Sequence, residues 1–392
     1  MRPPPERPDK SVRSAFRLDP SIHFLNHGSF GAVPRPVEAA AGAWRDRLEA
    51  RPIEMVGRQM AGLLLGVRER IGAYLGTSAE RVGLVTNATT GIGSVLGSIA
   101  WKPGDRIIIT NQGYNAVRQA VHRTCDRHGC ECVIADVTLP IVDAAAVVRA
   151  VMAAVDERTR LVIIDHVTSP TGLILPVEAI VEACRSRGIL TLVDGAHGPG
   201  MFPLAIDSIG ADWYTGNLHK WVCAPKGSGI LVPSEAMAAR TQPETASHFH
   251  GSGFVQEFEW QGTRDFANWL AIPDAIDFVE QAYPGGAMAH NRALACWAHD
   301  HLGRAFGAAP ISPADLSMLG SLATVKLPAR ICELAGSAAE YQAHLYDRHR
   351  IEVPVIDIFG LWFVRVSAQV YNTPEDYLAL ESAVLGELGG LV

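Results

Sequence analysis

The sequence is poor in charge and has no excess of basic residues. Of its 392 residues only 19% are Asp, Glu, Lys or Arg, the formal net charge is −7, and the pI is about 6.1. With no basic surplus to neutralise phosphates, nucleic acid is not an expected partner. Gly, Pro or charge interrupts every apolar run well short of the roughly 20 residues a membrane span needs, so no membrane partner is expected either. The opening stretch, MRPPPERPDKSVRSAFRLDP, holds prolines and charges of both signs but no apolar h-region. It reads as a loosely ordered arm and not as a signal peptide. The cysteines are Cys125, Cys130, Cys132, Cys184, Cys223, Cys296 and Cys332. Their odd number argues against a disulfide framework and for reduced thiols in the cytoplasm. Cys130 and Cys132 are too close in sequence for a comfortable bridge, and no repeated CxxC spacing marks a zinc site, so no metal is expected.

Hydrophobic residues make up 48% of the chain, enough for a large core and two domains. Short β-branched runs alternate with amphipathic or Ala-rich stretches, the βαβ pattern of a largely parallel sheet. The predicted strands are Gly83–Thr86, Arg106–Thr110, Cys132–Asp136, Leu161–Asp165, Leu190–Asp194, Trp213–Gly216 and Gly229–Val232. Several are almost wholly apolar, as strands covered on both faces should be. Predicted helices between them include Thr90–Ala100, Ala116–His128 and Pro176–Arg187. From about Pro284 the texture changes. Predicted helices Met288–Phe306, Ala338–His349 and Pro374–Leu388 flank strand-like runs at Ser321–Leu327 and Trp362–Ser367. The expected organisation is an arm at 1–24, a large α/β domain at 25–280 and a smaller α+β domain at 281–392.

Asp194, in LVDGAHGPG, ends an apolar strand and precedes small residues. Ligands of open α/β sheets sit at the carboxyl ends of strands, so Asp194 points at a site. A turn-forming Asp before Gly is the plainer alternative. Lys220, in TGNLHKWVCAPKGSGIL, lies between a strand and a Gly-rich segment among mostly apolar or small neighbours. That is a poor setting for a surface lysine, and a buried amine has a depressed pKa and attacks aldehydes. Asp and Lys together match pyridoxal 5'-phosphate (PLP). That cofactor needs a lysine amine, and a carboxylate that keeps its pyridine nitrogen protonated. Thr86-Asn87-Ala88-Thr89-Thr90-Gly91 follows a strand and opens a helix. Its N–H groups and hydroxyls could bind a phosphate, or Asn87 or Thr89 could simply cap the helix, and the two readings are compatible.

In order along the chain stand FLNHGSFGAVPRPV, TNATTGIG, HVTSPTGLILPV, LVDGAHGPG, TGNLHKW, WQGTRD and VRVSAQVYNT. With these phrases the sequence resembles the class V aminotransferase family of fold-type I PLP-dependent enzymes, in its isopenicillin N epimerase-like branch. The resemblance spans nearly the whole chain. It implies a seven-stranded, mostly parallel sheet in the large domain and a homodimer with shared active sites. It implies that Lys220 is the Schiff-base lysine and proton carrier, that Asp194 pairs with the pyridine nitrogen, and that His197 lies near the phenolic oxygen. Ala88, Thr89 and Thr90 would cradle the phosphate, helped by Asn217 and His219, and Thr263 would reach the partner's phosphate across the interface. Arg365 would grip the substrate carboxylate through its fork of donors, or else pair with a helix acid. Asn26 and His27, in a segment expected over the active-site mouth, would bind substrate, with a core or capping role the alternative for His27.

One phrase departs from the family. Many relatives place a His on the cofactor ring after the strand Arg106–Thr110, where this sequence reads NQGYNAV. The aligned position is Gln112, and Tyr114 is the only aromatic residue nearby. Tyr114 is therefore taken to cover the ring or act as a second acid/base, the alternative being that it packs against the loop. His166 and Ser169 either touch the phenolic oxygen or shape the turn before Pro170. The resemblance favours an amino-acid epimerase or racemase, with an aminotransferase or a C–S lyase on a cysteine conjugate as the alternative. A cysteine desulfurase fits less well, because Cys332 lies in a helical run and Cys223 reads as core.

Overall fold

The computed structural model describes residues 3–6, 10–283 and 285–389; Pro284, where the sequence texture changes, lies outside them. All seven predicted strands form within one sheet. After a short β1 (His23–Phe24) come β2 (Gly83–Val85), β3 (Arg106–Thr110), β4 (Glu131–Ala135), β5 (Thr159–Asp165), β6 (Leu190–Gly195), β7 (Trp213–Asn217) and β8 (Gly229–Pro233). The sheet order is β2-β8-β7-β6-β5-β3-β4. Neighbours from β7 to β4 run parallel, and β8 is antiparallel to both β7 and β2.

Strand alternation explains why these runs are apolar throughout. In β3, Ile107 and Ile109 pack on one face while Ile108 packs on the other. In β5, Leu161 and Ile163 oppose Val162 and Ile164 in the same way. Each such side chain contributes about 1.5–3 kcal/mol of burial, and a strand with helices on both faces has no polar side to spare. One face is covered by the helices Ala88–Ser98, Asn115–His128 and Phe254–Glu259. The other carries Val177–Arg185 and Ala144–Ala153, with two long helices the sequence reading did not single out, Arg35–Ala50 and Met60–Leu75.

A second, antiparallel sheet of order β11-β12-β9 is built from β9 (Leu322–Lys326), β11 (Val355–Ile358) and β12 (Leu361–Ser367). The helices Ala287–Ala305, Ala338–His349 and Pro374–Gly389 pack around it. The short β10 (Ile351–Glu352) pairs in parallel with β1. The stretch read as a loosely ordered arm is ordered in its second half, while residues 1–2 and 7–9 of it lie outside the described residues. Residues 10–14 are helical, and Phe16 is 3% exposed, its ring edge-on to Tyr371 at 4.8 Å and Phe278 at 5.7 Å. A buried phenyl ring and two backbone pairs hold this segment against the core. No helix among the described residues is long and apolar enough to cross a membrane.

Candidate active site

A cavity of about 220 Å³ opens where the carboxyl ends of β3, β5, β6 and β7 meet the N-terminus of the helix Ala88–Ser98. Of the residues expected at a site, Ala88, Thr89, Tyr114, Ser169, Asp194, His197, Asn217, His219 and Lys220 line it. Asn26, His27, Thr90, Thr263 and Arg365 do not. Ser29, from the segment expected over the mouth, and Asn87, from the expected phosphate-binding run, line it as well, and Phe30, Asp165, Val167 and Ala196 line it without having been expected there.

At the cavity wall Lys220 Nζ lies 3.1 Å from His197 Nε2, and Trp221 Nε1 donates to His197 Nδ1 at 3.3 Å. An indole N–H can only donate, so His197 Nδ1 accepts and its proton sits on Nε2. That N–H then faces the lone pair of a neutral Lys220 amine. Burial pushes the Lys220 pKa down to about 7, the Arg365 charge lowers it further, and Asp194 works in the opposite direction. Burial also holds His197 well below the ordinary imidazole range, with Lys220 next in effect. Asp194 is 4% exposed and takes the Ala196 N–H on Oδ1 at 3.0 Å. Burial raises its pKa, while the Ala196 bond and Lys220 oppose the rise. A neutral amine and a buried carboxylate thus share one wall.

The helix start is already partly satisfied. Asn87 caps it by accepting the Thr90 N–H at 2.9 Å, and Asn217 Oδ1 accepts the Ala88 N–H at 2.8 Å. Thr90 Oγ1 is occupied with Thr86 at 2.8 Å. The Thr90 N–H and hydroxyl are thus engaged within the helix start, and its side chain does not line the cavity. Thr89 is left as the first-turn residue whose donors meet the cavity. His219 reaches the same end and bonds through Nδ1 to the Ser228 carbonyl at 3.0 Å.

Arg365, on β12, is 5% exposed. Its Nη1 donates to the Ser169 carbonyl and, at 3.3 Å, to Ser169 Oγ; its Nη2 donates to Ser29 Oγ at 3.3 Å. Its Nε is buried with no partner, and among the described residues no carboxylate pairs with it. The helix-acid alternative therefore fails. Burial lowers its pKa to about 10, with Tyr114 opposing. A buried guanidinium held only by neutral groups is a ready receptor for an anion. It stands behind Ser29 and Ser169, which form the cavity wall itself.

The segment at residues 26–31 does pass over the site, but different side chains reach it. His27 is fully buried, with Nδ1 to Tyr371 Oη at 2.8 Å and Nε2 to the Lys220 carbonyl at 2.9 Å. Burial drops its pKa to about 4. Asn26 donates to Glu352 at 2.9 Å and accepts from Ser29. In this structure these residues brace the segment and the lysine backbone, the core role that was the alternative for His27, while Ser29 and Phe30 face the cavity. Gly31, at φ +71°, packs so tightly that a Cβ would collide with the His219 carbonyl.

On the far side, Tyr114 lines the cavity with 47% of its surface exposed, whereas Gln112 is buried and bonded to Thr171 and Val137. The phrase NQGYNAV thus contributes its tyrosine. His166 faces Tyr214 and Phe202 away from the site, so of His166 and Ser169 only Ser169 lines it. Thr263 is exposed at the surface and does not meet this cavity within one chain.

The family model described as aminotransferase class-V matches residues 47–380. The chain is 34% identical to the isopenicillin N epimerase of Amycolatopsis lactamdurans, over 95% of this chain and 97% of that one. It is 30% identical to a putative L-cysteine desulfhydrase 1 of rice, over 95% and 85%. Among solved structures, a C-DES mutant with glycine covalently linked to its PLP cofactor superposes with a TM-score of 0.80. The two are 19% identical over 95% of this chain and 98% of that one. The donor set fits such a cofactor: a neutral amine for the aldehyde, a buried carboxylate for the ring nitrogen, and helix-start donors at Thr89 for the phosphate.

Proposed function

The chain belongs to the aminotransferase class-V family, whose cofactor is PLP, and from that premise we propose an isopenicillin N epimerase-like enzyme that inverts the α-carbon of an amino acid. When bound, the cofactor supplies an electron sink for the charge left at that carbon. In this reading Lys220 holds the cofactor and then carries the α-proton on one side. Tyr114 serves the other side. Asp194 faces the ring nitrogen and His197 the phenolic oxygen. Ala88, Thr89, Asn217 and His219 hold the phosphate, Thr90 supports them through the cap, and Thr263 completes the site from a partner subunit. Arg365 takes the substrate carboxylate. A homodimer in a reducing cytoplasm, with the division at 1–24, 25–280 and 281–392, belongs to the same proposal; among the described residues no two cysteines are joined in a disulfide.

The observation that carries the epimerase reading is the disposition of Lys220 and Tyr114. Lys220 follows β7 and Tyr114 follows β3, with β6 and β5 between them, so two proton-bearing groups enter one cavity from opposite sides. A C–S lyase is the second reading, favoured by the likeness to the rice desulfhydrase. No cysteine lines the cavity among the described residues, which speaks against persulfide transfer. The test is a panel of amino acids incubated with the holoenzyme in heavy water. Loss of optical activity with deuterium at the α-carbon supports epimerisation. Release of sulfide and a keto acid without an amino acceptor would replace it with the lyase.

A further inference from the structure

Two carboxylates close neighbouring strands in matching register. Asp165 ends β5, and its partner across the ladder is Asp194 on β6. Residues paired directly across parallel strands send their side chains to the same face, and such strands lie about 4.8 Å apart. Both residues line the cavity, Asp165 at 6% exposure and Asp194 at 4%. Asp194 has one oxygen on the Ala196 N–H. The Asp165 carboxylate lies against the Gly113–Tyr114 backbone, and the N–H of Tyr114 works to lower its pKa. The other titratable groups that share the cavity are Tyr114, His197, His219 and Lys220. Lys220 acts on Asp194, while among the described residues no cation acts on Asp165. Burial, and then the neighbouring Asp194, drive the Asp165 pKa well above the carboxylate range. Two adjacent buried carboxylates do not both stay ionised.

We propose that Asp165 is a positioning residue that keeps its proton and donates it in a hydrogen bond to Asp194, so that the pair presents one negative charge to the ring nitrogen of the cofactor. This rests on the reading that Asp194 faces that nitrogen. The donated bond tempers the basicity of Asp194 and so keeps the proton on the ring, which is the state of an electron sink. The Gly113–Tyr114 backbone lies against Asp165 and thereby ties the loop after β3 to the ring nitrogen.

The test compares Asp165→Asn with Asp165→Ala in the holoenzyme. An Asn amide donates where a protonated Asp would; Ala does not. Asp165→Asn should keep the wild-type PLP affinity and the protonated-pyridine signal in 15N NMR of bound 15N-labelled PLP. Asp165→Ala should bind PLP at least about tenfold more weakly, the value of one lost hydrogen bond to a charged group, and should shift that signal towards the unprotonated ring. If Asp165→Asn falls with Asp165→Ala, an ionised carboxylate is required and the proposal is overturned. It is equally overturned if Asp165→Ala behaves as wild type. Should Asp165→Ala fail to fold, infrared difference spectra decide: the wild type must show a protonated-carboxyl C=O band that Asp165→Asn lacks, and its absence from the wild type overturns the proposal. A wild type with no bound PLP would instead overturn the cofactor reading beneath it.

Discussion

The imidazole of His197 presents Nε2 to the amine of Lys220 at 3.1 Å, with its proton fixed there by the Trp221 indole on the other ring nitrogen. The amine therefore sheds its proton near neutral pH, its pKa lowered by burial to about 7. Covalent attachment of PLP to the apoprotein should accelerate with pH and level off just above 7, where an ordinary lysine would still be gaining at about 10.4. Stopped-flow absorbance checks this. The sign for stability follows from the same shift. Between about 7 and about 10.4 the unfolded chain holds a proton the folded chain lacks, so this group's penalty grows as pH falls through that window and is constant below it. Apo Lys220→Met should therefore resist urea better than wild type at pH 7, and the gap should close by about pH 10.4.

Arg365 is a buried cation with no anionic partner among the described residues, which makes its cost and its use separable. Arg365→Leu should raise KM by about 100-fold, the scale expected when one member of a buried charge pair is lost. The cofactor spectrum should stay near wild type. The apoprotein should not lose stability, because an uncompensated buried charge is removed. Steady-state kinetics and thermal melts of the two forms test both halves.

Tyr114→Phe separates the two faces of the reaction. Loss of a general acid or base costs about 10²–10⁴-fold. Epimerisation should fall by that order, while deuterium exchange with retained configuration, which needs only Lys220, should persist. Chiral chromatography with mass detection reads both. A lyase whose proton handling rests on Lys220 would barely notice the change.

Gly31→Ala places a methyl group against the His219 carbonyl at a backbone φ of +71°. Strain of this kind costs about 1–3 kcal/mol. The segment at residues 26–31 should lift from the lysine loop, and both the melting temperature and the PLP affinity should drop. Equilibrium dialysis beside a thermal melt would show it.

The large sheet is legible in the sequence because each strand is a short apolar run covered on both faces, and β3 forms over the predicted residues. The strand residues that escape are polar or broken: β5 begins at Thr159-Arg160, and β10 and β11 are separated by Val353-Pro354 and carry Glu352 and Asp357. At the site, Lys220 and Asp194 announce themselves by chemistry that is costly outside a pocket. Asp165 carried the same strand-end signal as Asp194 and was passed over because nothing in the sequence shows which strands are neighbours. Within the segment at residues 26–31 the polar residues were visible, but which of them faces the cavity is set by bonds to distant partners. Tyr371 and Glu352 turn His27 and Asn26 away and leave Ser29 and Phe30 inward. The cap at Thr90 is a related case, since the sequence alone does not show that Asn87 engages its N–H.

Reduction of the purified holoenzyme with borohydride, followed by proteolysis and peptide mass spectrometry, addresses the central claim. The account predicts that the visible cofactor band disappears and that the pyridoxyl mass sits on Lys220. A label on nearby Lys226, or a protein that carries no label on any lysine, would contradict it.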